Sequence, residues 1–306
     1  MGLLRVASAV VGSGAVAGTG LTASAAWEAR AYTLREVSVP LLPAGHPSLR
    51  VLHLSDIHMT PGQTHKQEWL RSLVDLEPDL VVSTGDSLAH PDAVPVVVDA
   101  LGSLLSVPGV FVFGSNDYYA PTLRNPIRYL FPDDGRRHVN EQLPWPDLQM
   151  RFLEAGWVDL TNRFGGLDVG RTTFAFAGVD DPHLGMDDLP AVAGPADSDA
   201  DVRVAVAHAP YLRVLEQFAR DGYDAILAGH THGGQVCLPR TGALTTNCDL
   251  DRARAKGLHR HPAHSLPGDP GSSWLHVSAG IGTSPYARIR VACRPEATLL
   301  ALTSRG

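Results

Sequence analysis

The chain has 306 residues, 44% of them hydrophobic, with 25 Lys+Arg against 32 Asp+Glu and a formal net charge of −7. That length and apolar content are enough for one large α/β domain with a substantial core. The acidic balance, with no basic run or basic–aromatic stripe, argues against a nucleic-acid partner, and three cysteines without a Cys-x-x-Cys pair give no disulfide framework.

In chain order, residues 3–26 contain one charge, Arg5, among Ala, Gly, Val, Leu, Ser and Thr. The length suits a membrane span, though a weak one. Ala23-Ser24-Ala25 also fits the small-x-small end of a signal peptide. A loosely packed helical leader is the bland alternative. Residues 1–28 are therefore expected to be a membrane-directing segment, signal anchor or signal peptide, with one domain over 29–306. Membrane association through the N-terminus, or export, is the expected localisation.

Tyr32 to Leu41 alternates as an edge strand, and Arg50 to Leu54 is a strand running into Ser55-Asp56-Ile57-His58. Gln67 to Leu76 has helical spacing. Leu80 to Thr84 is a strand ending at Gly85-Asp86, Ala93 to Leu105 a helix, and Val110 to Phe113 a strand ending at Gly114-Ser115-Asn116-Asp117. Strand–helix repeats of this kind build a parallel sheet, whose ligands bind at the carboxyl ends of the strands.

Proline interrupts residues 118–150, and Met150 to Ala155 looks helical. Phe164 to Val169 and Thr172 to Gly178 read as a hairpin. Residues 181–200, rich in Asp, Pro and Gly, are expected to be exposed. Val202 to Ala207 is a strand ending in His208, followed by a helix through Ala219. The apolar run Ala225 to Ala228 leads into Gly229-His230-Thr231-His232-Gly233-Gly234-Gln235. In extended backbone two histidines at i and i+2 project to one side. Residues 239–273 show no periodicity and read as a long functional loop or flap. Trp274 to Ala279 and Ala297 to Leu302 close the sheets. The cysteines are expected to be small buried side chains; Cys237 with Cys248 is the pairing an oxidising compartment would permit.

The polar groups at these strand ends are Asp56, His58, Asp86, Asn116, Asp117, His208, His230 and His232. Carboxylate, imidazole and amide form a donor set suited to Mn, Fe or Zn. Asp86, a lone carboxylate after a central strand, is the natural bridge between two divalent metal ions. Taken singly, each has a bland reading: Asp56 or Asp86 as a helix cap, His208 as a satisfied core histidine.

Asp56-x-His58, Gly85-Asp86, Gly114-Ser115-Asn116-Asp117, His208 and Gly229-His230-Thr231-His232 together resemble the five-part signature of the calcineurin-like metallophosphoesterases. Gly233-Gly234-Gln235, the run Gly280 to Ser284 and Cys293-Arg294-Pro295-Glu296 resemble a membrane-associated bacterial branch of that superfamily. The resemblance implies a four-layer α/β/β/α sandwich with metals at the strand ends. It implies one ion on Asp56, His58, Asp86 and His232, and a second on Asp86, His208, His230 and an amide oxygen. The implied activity is hydrolysis of a phosphodiester or phosphoanhydride by a metal-bridging hydroxide.

The third block departs from the family's Gly-Asn-His-Asp/Glu. By length Ser115 holds the ligand position and Asn116 that of the leaving-group histidine. Asn116 is the expected amide ligand, with Ser115 the other option. A neutral amide donates a hydrogen bond but transfers no proton, which favours anhydrides, aryl esters and activated diesters. His65, His90 and the histidines of residues 259–264 are the alternatives for an acid. Arg124 and Arg128, after the third block, are candidate phosphate contacts. Two further readings stand beside this one: hydrolysis of a lipid-linked pyrophosphate such as a UDP-diacylglucosamine, and a non-catalytic, membrane-tethered metal-binding or sensing protein.

Overall fold

The computed structural model describes residues 22–123, 140–238 and 240–305. Its strands are β1 (Thr33–Leu42), β2 (Leu49–Leu54), β3 (Leu80–Ser83), β4 (Gly109–Phe111), β5 (Val158–Asp159), β6 (Arg163–Val169) and β7 (Thr172–Gly178). They continue as β8 (Val202–Ala207), β9 (Ala225–Ala228), β10 (Cys237–Leu238), β11 (Gly242–Ala243), β12 (Gly257–His261), β13 (Ser273–Val277) and β14 (Glu296–Ser304). One six-stranded sheet runs β1-β14-β2-β3-β4-β5, and a second runs β12-β13-β9-β8-β7-β6. The central strands of both are parallel, with β14 antiparallel to β2, β12 to β13 and β6 to β7.

The pleat sorts the core. Val51, Val82 and Val110 face inward and meet Phe174, Phe176, Val204 and Leu227 of the other sheet. Their neighbours Leu52, Leu54, Val81 and Phe111 face outward, under Leu70, Val97, Leu101, Leu148 and Phe152 from the helices Thr64–Ser72, Val94–Leu101 and Trp145–Glu154. On the far side Ala205, Ile226, Leu275 and Val277 pack beneath Val214, Leu215 and Phe218 of the helix Leu212–Arg220. Strands covered on both faces read as near-continuous apolar runs because alternation has no solvent face to mark. The result is the expected α/β/β/α sandwich.

Several expected boundaries shift. The helix expected from Met150 begins at Trp145, with Pro146 at its first turn where the missing N–H is harmless. The helices expected to run to Leu76 and Leu105 end earlier and finish in 3₁₀ turns (Leu73–Leu76 and Gly102–Ser106). Residues 239–273 are not one unstructured loop: β11 pairs with β10, and β12 pairs along its length with β13. Gly-Leu-His-Arg-His hides that strand, because it lies at a sheet edge and buries little apolar surface.

Residues 22–28 are helical, and the Glu28 carboxylate accepts the backbone N–H groups of Ala292 and Cys293. Most of the expected membrane-directing segment lies outside the described residues; among the described residues no helix is long and apolar enough to cross a membrane.

Candidate metal centre

The motif residues stand just past the ends of β2, β3, β4, β8 and β9, and the backbone leaves those strands abruptly. Asp56, His58, Asp86, His230 and His232 all have left-handed φ, between 44° and 68°. Such conformations cost about 1–3 kcal/mol each in non-glycine residues and persist where surrounding structure fixes them. Here the fixing bonds cross between strands. Asp56 N–H donates to Gly85 O and His58 N–H to Asp86 O, each at 2.9 Å, and Gly229 N–H to His208 O at 2.8 Å. This corrects the geometry expected for the two histidines. β9 stops at Ala228, and His230 and His232 reach the site from turns, His232 within a 3₁₀ turn, rather than by alternation in a strand.

Two donor groups converge on Asp86. Its Oδ2 lies 3.5 Å from His58 Nε2, and its Oδ1 lies 3.5 Å from His208 Nε2. On the first side His232 Nε2 is 3.2 Å from His58 Nε2 and 3.6 Å from Asp56 Oδ1. On the second side His230 Nδ1 is 3.3 Å from His208 Nε2. Asp56, His58 and His232 form one set with donor atoms within 4.8 Å of each other; Asp56, Asp86 and His208 form another.

Whether these residues fit metal ions is decided by where protons can sit. His208 Nδ1 lies 2.7 Å from the Thr84 carbonyl and His230 Nε2 lies 3.2 Å from the Asn247 carbonyl. A carbonyl only accepts, so His208 Nδ1 carries the proton; His230 Nε2 is given its proton by the Asn247 carbonyl, which lies nearer than the Asn247 amide nitrogen at 3.4 Å. With both rings neutral the opposite nitrogens would direct lone pairs at each other beside a carboxylate, so a positive charge belongs between them: a proton on His208 Nε2, or a metal ion that displaces it. Charge agrees. Burial alone would depress His208, but Asp86, Asp181 and Asp56 outweigh it and raise the imidazole to about 9. Burial alone would raise Asp86, but His208, His58 and two bonds from Asn116 hold it below the usual carboxylate range. His232, His58 and His230 are held neutral, below their ordinary value, chiefly by burial. Three neutral imidazoles, an ionised Asp86 and a His208 whose Nε2 proton an ion would displace form a donor set for a divalent ion, while burial raises Asp56.

The third block resolves into two different contacts. Asn116 lies on Asp86: its backbone N–H donates to Oδ1 at 2.7 Å and its amide Nδ2 to Oδ2 at 2.8 Å. Ser115 turns away and donates to the Asp181 carboxylate. Gly114 has no tolerance for a side chain, since a Cβ there would meet Asp86 Oδ1 and come within 2.6 Å of the His208 ring. Gly229 is equally confined, by Ser55 and Asp56. Arg124 and Arg128 lie outside the described residues.

Other residues hold the site's shape. Asp117, a strand-end acid to which the motif assigns no role, accepts four backbone N–H groups, from Asp86 (2.8 Å), Ser87 (2.7 Å), Leu88 (3.2 Å) and Gly114 (3.0 Å), tying the second and third blocks together. Its signal was an acid three residues after Gly114, the back half of a capping box. Asp181 was expected to be exposed and is fully buried; no local pattern marks it, because the groups whose charge it meets, His208 and His230, come from another part of the chain. Beside it the His183 ring lies 4.5 Å from that of His230 and bonds the Tyr211 hydroxyl at 3.1 Å. Buried Arg290 donates to the carbonyls of Ala279, Gly280 and Gly282 at 2.7–3.0 Å and to that of His232 at 3.3 Å. Of the other histidines considered, His65 packs on Tyr32, His90 caps a 3₁₀ turn and His259 bonds the Lys256 carbonyl. None of the three cysteines is in a disulfide, and Cys237 sits with Cys293: both sulfurs lie within 3.4 Å of the Gly233 carbonyl.

Residues 49–234 match the family model of the calcineurin-like phosphoesterases. Over 263 residues the chain is 27% identical to the metallophosphoesterase YkoQ of Bacillus subtilis, covering 84% of each chain. It is 25% identical to the phosphodiesterase YaeI of Escherichia coli, across 75% of this chain and 72% of that one. A bovine transmembrane protein with a metallophosphoesterase domain is 30% identical across 76% of this chain, which spans about half (51%) of that longer protein. With the matched region containing every motif residue placed above, the chain belongs to the calcineurin-like phosphoesterase family and is a metallophosphoesterase, a hydrolase of phosphoesters.

Proposed function

We propose that the protein hydrolyses a phosphodiester or phosphoanhydride whose leaving group departs without a strong acid. The observation that carries this reading is the histidine–carboxylate convergence on Asp86 together with a neutral amide, Asn116, where the family's proton donor would stand. Asp56, His58, Asp86 and His232 are the proposed holders of one divalent ion. Asp86, His208 and His230 are those of the other, with Asn116 as amide ligand. When bound, such ions act as Lewis acids toward water and the phosphoryl oxygens.

The chain's own residues supply the rest. Asp86 places negative charge between the two histidine groups. The Thr84 and Asn247 carbonyls fix the tautomers of His208 and His230, so each leaves its other nitrogen for the proposed ion. Asp117 and Arg290 hold the loops that carry these groups. Asn116 stabilises charge by hydrogen bonding and moves no proton, so a poor alkoxide leaving group gains little.

A lipid-linked pyrophosphate is the second reading. It is favoured by the neutral Asn116 and by the apolar stretch before Thr22, which would bring the domain to a membrane where such substrates reside; otherwise it rests on analogy. The test is hydrolysis by metal-reconstituted protein of aryl and alkyl monoesters, aryl and alkyl diesters, and a nucleotide-linked pyrophosphate, side by side. The reading expects aryl diesters or the pyrophosphate to be cleaved at least about 100-fold faster than alkyl esters. Equal rates for alkyl and aryl leaving groups would refute it. Metal binding without hydrolysis of any of them would favour the non-catalytic sensor.

A further inference from the structure

Four of the exposed large apolar side chains lie on segments that meet beside the metal centre. Trp27 is 63% exposed, Tyr286 55%, Leu238 46% and Ile289 39%. Hydrogen bonds join the segments that carry them. The helix of residues 22–28 meets 290–294 through Ala25 O to Arg290 N–H, through Glu28 to Ala292 and Cys293, and through the Arg294 guanidinium 5.4 Å from the Trp27 ring. Residues 286–291 in turn meet 235–238: Gln235 Nε2 donates to the carbonyls of Ala287 and Ile289, and Cys237 N–H to Val291 O at 2.9 Å. Gln235 is three residues past His232, and Arg290 bonds His232 itself, so this surface borders the site.

Its charge is opposite to that of the chain. The protein is net −7, yet Ser284 to Arg294 has three arginines and no acid. Arg288 and Arg294 are exposed, as is Arg30 at the end of the helix, and the nearby acid Glu28 is engaged by two backbone N–H groups. An exposed Tyr, and a Trp with an arginine against its ring as Trp27 has Arg294, are side chains that settle at a bilayer–water interface, where an amphipathic ring and a cationic head are both satisfied. The chain arriving at this helix points to the same partner: between Leu3 and Leu21 its one charged side chain is Arg5.

We propose that Ser284–Arg294, with Leu238 and the Trp27 helix, is the face through which the folded domain lies on an anionic bilayer. The metal centre then opens beside the lipid headgroups. The leader alone does not require this, since a domain tethered by its N-terminus is free to hang clear of the surface. Arginines over an aromatic and aliphatic patch draw it down, the cations toward anionic headgroups and the rings into the interfacial layer.

The test places a reporter on the patch away from the leader. Tyr286→Trp in the full-length protein is reconstituted into phosphatidylcholine vesicles with about 30% phosphatidylglycerol, with and without brominated acyl chains. Phe164→Trp, on β6 at the far edge of the second sheet, is the control. Emission added over wild type is measured for each. About half or more of the added Tyr286→Trp emission is quenched by the brominated lipid, falling in vesicles without phosphatidylglycerol, while the Phe164→Trp emission is unaffected. Equal quenching at both positions overturns the proposal. So does an unquenched Tyr286→Trp reporter, whether the patch is bare or covered by a second copy, which a doubled mass in sedimentation would identify. Hydrolysis of a soluble aryl diester, measured on the same samples, tests the catalytic reading separately.

Discussion

His276, on β13, is 1% exposed, and its Nδ1 lies 2.9 Å from Nδ1 of His53, itself fully buried and 3.0 Å from the Thr84 hydroxyl. Burial, reinforced by His259 and Arg35, pushes His276 down to about 3 from an ordinary 6.5. A histidine depressed in the folded state is neutral there and takes up its proton on unfolding, so folding loses stability as pH falls below 6.5 and continues to lose it down to about 3. With those two values the loss between pH 7.5 and pH 5.0 is about 2 kcal/mol, and the limiting loss near pH 3 is about 5 kcal/mol. His276→Gln keeps a polar partner for His53 and removes this titration. Urea unfolding of wild type and variant at both pH values gives the comparison, and the difference between the proteins separates the His53–His276 pair from the other groups that titrate. Relative to the variant, wild type is expected to lose about 2 kcal/mol on going from pH 7.5 to 5.0. A difference that stays constant within about 0.5 kcal/mol would refute the reasoning.

Gly114→Ala drives a methyl group against Asp86 and His208, so metal affinity is expected to fall at least about 10-fold while the circular dichroism spectrum is kept; equilibrium metal titration checks it. Phe176→Ala opens a cavity between the sheets, where Phe176 is 1% exposed and stacked on Phe174 with ring centres 5.7 Å apart. The expected destabilisation is about 3–5 kcal/mol in urea unfolding, with metal stoichiometry unchanged.

Strand ends and motif residues were legible because a buried parallel strand is a short apolar run, and the polar residue closing it stands out against that run. The motif then fixes which strands are neighbours, since Asp56, Asp86 and His208 can meet only if β2, β3 and β8 end together. The groups that hold the site were not legible for a common reason. Asp117 binds backbone N–H groups, Arg290 binds backbone carbonyls and Asp181 meets the charge of distant histidines. Backbone partners leave no mark on residue type, and a lone acid in a Pro- and Gly-rich segment looks the same whether exposed or enclosed. β12 was missed for the opposite reason: its pairing is made by the backbone while its side chains remain mostly polar. The left-handed motif residues could not be placed either: Asp and His tolerate positive φ better than most side chains, but it is tertiary bonds that impose it at these positions.

The proposed function has Asp86 shared by two metal positions. Its most direct test is metal content and hydrolysis of a bis-aryl phosphate measured together for wild type and Asp86→Asn, after reconstitution with Mn, Fe or Zn. The account predicts about two ions per wild-type chain, a loss of at least one in the variant, and a fall in rate of about 1,000-fold or more. Full metal occupancy and near-wild-type turnover in Asp86→Asn would contradict it.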